Sequence, residues 1–156
     1  MPDLTAEREA LRQRILGWSA ACDLIAPGVD LGRDLRLVEG PTGLDLARVS
    51  GIDTLQQSLA IALTTLLGSD IFNTQFGFDG IRAMAEESSV VLARERIRIA
   101  VIQTLRQDPR VRRIIDVKLE DGRLERPPSR ELEVRVAFEV HSGDQLTVDL
   151  GRFTRG

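Results

Sequence analysis

The clearest signal in the sequence is a change in the spacing of apolar residues near residue 109. Before it, apolar side chains recur every three or four positions, which is the spacing of one helix face. After it they alternate with polar side chains, which is typical of a strand with one buried face. This order predicts an α+β fold in which helices pack on one face of a three- or four-stranded antiparallel sheet.

The N-terminal segment predicts an amphipathic helix over residues 3–25, capped by Asp3 or Thr5. Its apolar face is formed by Leu4, Leu11, Ile15, Trp18, Cys22 and Ile25. Pro27-Gly28 ends the element, so we assign residues 1–28 to an N-terminal helical extension. This face could pack on its own domain or dock onto a partner, and the pattern leaves both open.

The middle of the chain predicts a loop region followed by helices. Residues 30–51 are rich in glycine and are interpreted as loop with one or two short strands. A helix then begins at Asp53 or Thr54 and stops at Gly68, with its apolar face formed by Leu55, Leu59, Ala62, Leu63 and Leu66. Residues 69–80 form a loop with three of the five phenylalanines, and large aromatic residues in a loop usually pin it to a core.

A short helix is predicted around residues 81–85 and a longer one over residues 88–107, ended by Pro109. Three strands follow. The first is carried by Ile115, Val117 and Leu119 before a turn at Asp121-Gly122, and Pro127-Pro128 interrupts the chain before the second. The second strand, Leu132 to Val140, meets the third, Leu146 to Leu150, at a hairpin loop of Ser142-Gly143-Asp144. We assign residues 29–151 to one α+β domain and residues 152–156 to a tail.

Composition narrows the class of protein. A chain of 156 residues fits one domain with an appendage, and 42% apolar residues suffice for a core. The net charge of -3 argues against a nucleic-acid partner. Lys118 is the only lysine, and a G+C-rich genome accounts for such a preference for arginine. The longest apolar stretch is too short to span a membrane, so we expect a cytoplasmic protein that later joins a larger assembly.

The inventory of chemically reactive residues is thin. His141 is the only histidine and lies on the polar face of a strand, so its imidazole is expected to be exposed to solvent. Cys22 stands alone, which excludes an internal disulfide. Glu86-Glu87 precedes a helix, where acidic residues suit the helix dipole. We therefore predict no catalytic residues, no cofactor and no metal site, and interpret the arginines of the long helix as solvated or protein-facing.

The order of motifs resembles a known family. A helix opening Asp53-Thr54-Leu55-Gln56-Gln57-Ser58-Leu59 runs into Thr65-Leu66-Leu67-Gly68-Ser69-Asp70; then come Phe76-Gly77, a long helix, Asp108-Pro109-Arg110-Val111 and a terminal antiparallel sheet. This set is similar to the small baseplate wedge family of contractile phage tails, type VI secretion baseplates and extracellular contractile injection systems. The likeness covers roughly residues 30 to 150 and leaves the N-terminal helix outside it.

The resemblance implies a structural role and a set of contact residues. The family signature at the end of the long helix is Glu-Pro-Arg, and here the carboxylate is one methylene shorter, in Asp108. Family likeness implies that Asp108, Pro109, Arg110 and Arg112 contact the larger wedge subunits and that the terminal sheet accepts a strand from the first sheath ring. Other baseplate components are further expected partners, with no nucleic acid and no membrane insertion.

Three other functions remain open from the sequence. A soluble regulatory adaptor could use a similar α+β fold to bind one protein. A peptidoglycan hydrolase is suggested by the lysozyme label that members of the family have carried, although no placed pair of carboxylates marks one here. A nucleic-acid binder would show strongly salt-dependent retention on DNA.

Overall fold

A computed structural model describes residues 4–26, 29–80, 82, 86, 89–121 and 131–154 of the chain. The chain forms two compact units, which meet in sequence between Gln57 and Ser58. The first contains helix α1 (Leu4–Leu16), six short strands and the start of helix α2 (Ile52–Thr64). The strands are β1 (Trp18–Ala20), β2 (Cys22–Ala26), β3 (Val29–Leu35), β4 (Leu37–Gly40), β5 (Gly43–Leu46) and β6 (Arg48–Ser50).

The six strands form three antiparallel arms around a junction. Strand β1 pairs with β6, β2 with β3, and β4 with β5. The residues between the arms, Ala21, Arg36 and Ala47, bond to one another in a ring through their backbones. The amide of Ala21 donates to the carbonyl of Ala47 at 2.8 Å, that of Arg36 to Ala21 at 2.8 Å, and that of Ala47 to Arg36 at 2.9 Å. The ring satisfies the backbone groups of two buried alanines, Ala21 and Ala47.

The side chain of Gln57 on α2 ties the junction to the helix. Its Nε2 donates to the carbonyl of Ala20 at 2.7 Å and to the hydroxyl of Ser19 at 3.2 Å. Its Oε1 accepts the amide of Cys22 at 2.8 Å. One amide side chain therefore satisfies backbone groups on both sides of Ala21.

The prediction of a single helix over residues 3–25 is wrong. Helix α1 ends at Leu16 because Gly17 adopts a left-handed conformation with φ of 75°, and Trp18, Cys22 and Ile25 lie in β1 and β2. Residues 30–51, interpreted as loop with one or two short strands, contribute to four strands. The predicted domain boundary at residue 28 accordingly does not coincide with the boundary between the two compact units.

The second unit contains the α+β arrangement that the sequence predicts. It includes the end of α2, helix α3 (Val90–Gln107) and strands β7 (Val111–Asp121), β8 (Glu131–Val140) and β9 (Gln145–Thr154). The strands form an antiparallel sheet in the order β7-β8-β9. Helix α3 lies against β7, and Arg94 donates to the carbonyl of Leu119 at 2.7 Å. The core contains Leu59, Leu63, Phe78, Ile97, Val101, Leu105, Val117, Leu119, Val134, Val136, Phe138, Val140 and Val148.

Two details of the sheet differ from the prediction. The register of β7 shifts between Ile114 and Asp116, and the extra residue, Ile115, is an exposed residue rather than a core one. The predicted tail begins too early, because residues 152–154 pair with Glu131, Leu132 and Glu133 as part of β9. The helix predicted around residues 81–85, the turn at Gly122 and the Pro127-Pro128 interruption fall largely or wholly outside the described residues.

The loop between α2 and α3 is only partly pinned to the core. Phe78 is buried, and a side chain at Gly80 would clash with its ring. Phe76 is half-buried, whereas Phe72 is 94% exposed, so the expectation that the aromatic residues anchor this loop holds for its end and not for its middle. None of the described helices combines the length and apolar character needed to cross a membrane.

Candidate protein-interaction site

The corner after α3 is formed by Asp108, Pro109 and Arg110. Helix α3 ends at Gln107, and Asp108 takes an extended conformation with φ of -80° and ψ of 115°. This is the conformation that a following proline favours, so the predicted helix end is confirmed. The amide of Val111 donates to the carbonyl of Asp108 at 3.1 Å, which closes a turn into β7.

Asp108 and Arg110 form a two-point ion pair across the proline. The guanidinium Nε donates to Oδ1 at 2.9 Å and Nη2 to Oδ2 at 2.6 Å. The backbone amide of Arg110 also donates to Oδ1 at 2.9 Å, which is an Asx turn. A short carboxylate reaches an amide two residues ahead, so an aspartate at this position suits the geometry. The side chains are 13% and 21% exposed, and this face of Arg110 is turned onto Asp108 rather than outward.

The ion pair changes the acidity of Asp108. Burial raises the pKa of this carboxyl group, but the side-chain and backbone hydrogen bonds from Arg110 and the nearby positive charge outweigh burial. The pKa of Asp108 is therefore held below its usual value. The group therefore stays ionised at neutral pH, and the ion pair with Arg110 persists there.

A groove of about 430 Å³ lies beside this corner. Its volume is in the range of pockets that enclose small ligands or a few large side chains. The buried hydroxyl of Thr104 donates to the carbonyl of Ala100 at 3.0 Å and contacts that of Gly77 at 3.3 Å, which ties α3 to the loop before it. The groove is lined by Ser58, Leu59, Ala62, Phe76, Thr104, Gln107, Asp108, Pro109 and Arg110.

Arg112, the fourth predicted contact residue, belongs to a different cluster. The register of β7 shifts between Val111 and Arg113, so a bulge at Arg112 lets two consecutive arginines reach one carboxylate. Arg112 Nη1 donates to Oε1 of Glu139 at 2.8 Å, and Arg113 Nε donates to Oε2 at 2.9 Å. The Glu139 side chain is 11% exposed, whereas those of the arginines are 59% and 65% exposed. Arg112 therefore offers an accessible cation whose position is fixed by its bond to Glu139.

The sheet has two outer strands among those described, β7 and β9, each paired on one side only. Strand β7 carries two bulges, which make an edge a poor template for a further strand. Strand β9 is regular from Gln145 to Asp149, and then Leu150 and Gly151 together face Val134. The regular part of β9 is therefore the better template.

The direction of the β9 amides follows from the hairpin. The amide of Val140 donates to the carbonyl of Asp144 at 3.0 Å, so this opposed pair points inward. Because inward and outward pairs alternate along an antiparallel ladder, the backbone groups of Gln145, Thr147 and Asp149 point away from β8. The side chain of Thr147 is exposed, whereas that of Val148 is buried in the core.

The residues considered for chemistry remain in unremarkable settings. His141 is exposed on the β8–β9 turn, and its backbone amide donates to the carbonyl of Arg110 at 3.2 Å. Cys22 is a half-buried free thiol in the first unit. In the described part of the chain no three His, Cys, Asp or Glu side chains are placed to hold a metal ion.

The sequence did not single out Glu139 or Thr104, although each shapes this region. Glu139 lies on the face of β8 that the alternation predicts to be polar, and the bonds from Arg112 and Arg113 explain why a carboxylate is buried there. Thr104 could have been noticed as a polar residue between Val101 and Leu105 on the apolar face of α3.

No protein-family model matches the chain, and no curated protein matches it with significance. Among solved structures, the fold is similar to a crystal structure from Geobacter sulfurreducens of a protein provisionally described as a tail lysozyme. The TM-score is 0.51 and the identity 16%, and the match covers 67% of this chain and 90% of the other. At this identity the likeness establishes a shared fold.

Proposed function

We propose that this chain is a non-enzymatic structural subunit of a contractile tail-like injection machine, the small wedge protein of its baseplate. In this role it links the core bundle of the larger wedge subunits to the first ring of the sheath. The order of sequence motifs supports the proposal, and so does the shared fold with a protein described as a tail lysozyme. The protein would be made in the cytoplasm and assembled there into the particle.

The sheath contact rests on the outer edge of β9, which pairs with no other described strand. The backbone amides and carbonyls of Gln145, Thr147 and Asp149 point away from β8 and are offered to an incoming strand. Backbone pairing of this kind supplies affinity without a specialised side-chain pocket. A strand from a sheath subunit would extend the sheet from three strands to four.

The corner at Asp108, Pro109 and Arg110 is the contact proposed for the larger wedge subunits. The ion pair fixes the shape of the corner before a partner arrives, which lowers the ordering cost of binding. The groove beside it is large enough for an apolar side chain of the partner. The accessible Arg112 lies on the adjoining strand, where it could meet a partner carboxylate.

The alternative of a peptidoglycan hydrolase is favoured only by the description of the structural neighbour. A glycosidase of the usual kind needs one carboxyl group whose pKa is raised. The carboxylate in the groove is Asp108, and its pKa is lowered by Arg110. Release of soluble fragments from purified peptidoglycan by the wild-type protein would favour the hydrolase over the structural subunit.

The strand-addition contact is tested by Thr147→Pro. Proline removes an amide that points away from β8, so the β8–β9 ladder is kept while an added strand loses a donor. We expect the isolated protein to keep its circular dichroism spectrum and melting temperature. In cells of the source strain, we expect the variant to yield baseplates without attached sheath in electron micrographs.

Thr147→Ala is the matched control, because it removes the same side chain and keeps the amide. We expect sheathed particles from this variant in wild-type numbers. Sheathed particles in normal number from Thr147→Pro would rule out strand addition at β9. If wild-type protein is absent from purified particles, the proposal of a baseplate subunit fails, and a soluble adaptor becomes the better hypothesis.

A further inference from the structure

The most exposed large apolar side chains among the described residues are adjacent in the loop between α2 and α3. Ile71 is 80% exposed and Phe72 is 94% exposed. They occupy the two corner positions of a turn, because the amide of Asn73 donates to the carbonyl of Asp70 at 3.2 Å. We call this pair the loop tip.

Neither the turn nor the core explains these two residues. Turn corners favour glycine, proline, asparagine, aspartate and serine, each for a backbone reason that isoleucine and phenylalanine do not share. The loop is already attached to the core by Phe78, which is buried. Isolated exposed apolar residues are common, but two neighbours this exposed at a turn apex point to a binding partner.

The loop tip is held in place by hydrogen bonds on both sides. Asp70 Oδ1 accepts the amide of Phe72 at 2.9 Å, and the amide of Phe76 donates to the carbonyl of Asn73 at 3.0 Å. At the base, the amide of Phe78 donates to the carbonyl of Thr65 at 2.8 Å. Gly77 has φ of 115°, and a Cβ there would lie 2.8 Å from the backbone of Leu66, so the base is closely packed. A fixed tip loses little conformational entropy on binding.

The charges near the loop tip favour a protein partner over a lipid surface. Residues 69–80 contain two aspartates and no lysine or arginine. Asp79 is paired with Arg82 at 3.8 Å, so the acidic charge directly beside the tip is that of Asp70, which accepts the amide of Phe72. Loops and helices that enter anionic bilayers carry basic residues beside their apolar ones. Here the flanking charge would be repelled by such a surface, whereas a protein pocket with a donor-rich or basic rim would be complementary to it.

We propose that Ile71 and Phe72 form a preformed anchor that inserts into an apolar pocket, with a basic or hydrogen-bond-donating rim, on another protein of the same assembly. This inference rests on the proposed baseplate role and adds a third contact, separate from the β9 edge and the corner at Asp108. A phenylalanine fully desolvated in such a pocket has the character of an interface hot spot.

The test replaces the genomic copy with the Ile71→Ser/Phe72→Ser variant and measures how much of the chain sediments with purified particles. Val91→Ser is the matched control, because Val91 is also an exposed apolar residue of the second unit. We expect both proteins to melt like wild type, since neither change touches the core. We expect the tip variant to be reduced about tenfold or more in the particles, as for loss of a hot-spot side chain, and the control to be unchanged.

Each other outcome has a definite meaning. Equal incorporation of the tip variant and the control would overturn the anchor and leave the baseplate role standing. Absence of the wild-type chain from the particles would overturn both. Sedimentation of wild-type protein, but not the tip variant, with phosphatidylethanolamine–phosphatidylglycerol vesicles would assign the tip to a membrane instead. Self-association that is lost in the tip variant, seen by sedimentation velocity, would assign it to a second copy of this chain.

Discussion

The guanidinium group of Arg110 closes on the carboxylate of Asp108 across a single proline, at 2.9 Å and 2.6 Å. Both side chains are mostly buried, so the pair is screened less than a surface ion pair. We expect Asp108→Asn to lower the free energy of unfolding of the second unit by about 2 kcal/mol, because it weakens charge-assisted hydrogen bonds. Urea denaturation followed by circular dichroism measures this, with Asp116→Asn on the exposed face of β7 as the control.

If Asp108→Asn lost as little stability as Asp116→Asn, the pair would contribute nothing to stability.

Arg110→Glu should also destabilise the unit, because it would place a second carboxylate beside Asp108. That variant is therefore a poor probe of partner binding, because a failure to assemble could come from misfolding alone.

The stability of the second unit should depend on pH through Asp108. Its pKa is lower in the folded protein than its usual value of 3.8, so the stabilising contribution is fully present above that value. The contribution is lost as the pH falls through the lower, folded-state pKa. We expect the difference in unfolding free energy between wild type and Asp108→Asn to be constant from pH 7 to about 5 and to shrink below about pH 4. A difference that stays constant down to pH 2 would contradict this assignment.

In the cluster of Arg112, Arg113 and Glu139, removal of the positive charges should lower the free energy of unfolding more than removal of the negative charge. Removing both arginines, in Arg112→Ala/Arg113→Ala, leaves the mostly buried Glu139 carboxylate without these cations. Glu139→Gln keeps the shape and removes the buried charge. We expect the double arginine variant to lose about 2 kcal/mol and Glu139→Gln about 1 kcal/mol or less, since the arginines are largely exposed.

Thermal unfolding of the two variants beside wild type measures this difference. Glu120→Gln serves as a control, because Glu120 is an exposed carboxylate 3.7 Å from Arg135. If the arginine and glutamate variants lost equal stability, the buried charge of Glu139 would not be the reason that removal of the arginines is costly.

Gln57 should be the most sensitive polar residue of the first unit. Gln57→Leu has a similar volume and removes the bonds to Ala20, Ser19 and Cys22. We expect a loss of about 2 kcal/mol in that unit, because a backbone amide and a carbonyl lose their partner. The only tryptophan, Trp18, lies in β1 with Arg48 stacked 3.8 Å from its ring centre, so its fluorescence reports this unit directly. Gln56→Leu, the neighbouring change, should leave the fluorescence transition in place.

The second unit was predictable because its apolar spacing changes period at Pro109 and its elements follow each other closely. The hairpin at Ser142 to Asp144 joins strands that are adjacent in sequence, so local pattern and fold agree. The exposed Ile115 was not predictable, because a bulge shifts the register by one residue and moves a side chain to the other face.

The first unit was mispredicted because its pairings are distant in sequence. Trp18 pairs with Ser50, 32 positions away, and nothing local announces that contact. Trp18, Cys22 and Ile25 also fit helical spacing by coincidence, although Gly17 ends the helix before them. At the corner, the sequence predicted where α3 ends but not that the carboxylate of Asp108 would bind the guanidinium group of Arg110, since that depends on side-chain geometry.

The segment of six strands between α1 and α2, β1 to β6, begins and ends at adjacent positions. The amide of Gly51 donates to the carbonyl of Gly17 at 3.0 Å, so the 33 residues from 18 to 50 enter and leave through adjacent positions. Because its two ends are adjacent, the segment could be excised by joining Gly17 to Gly51, or exchanged for another insert. Either change would keep α1 and α2 connected over the same distance.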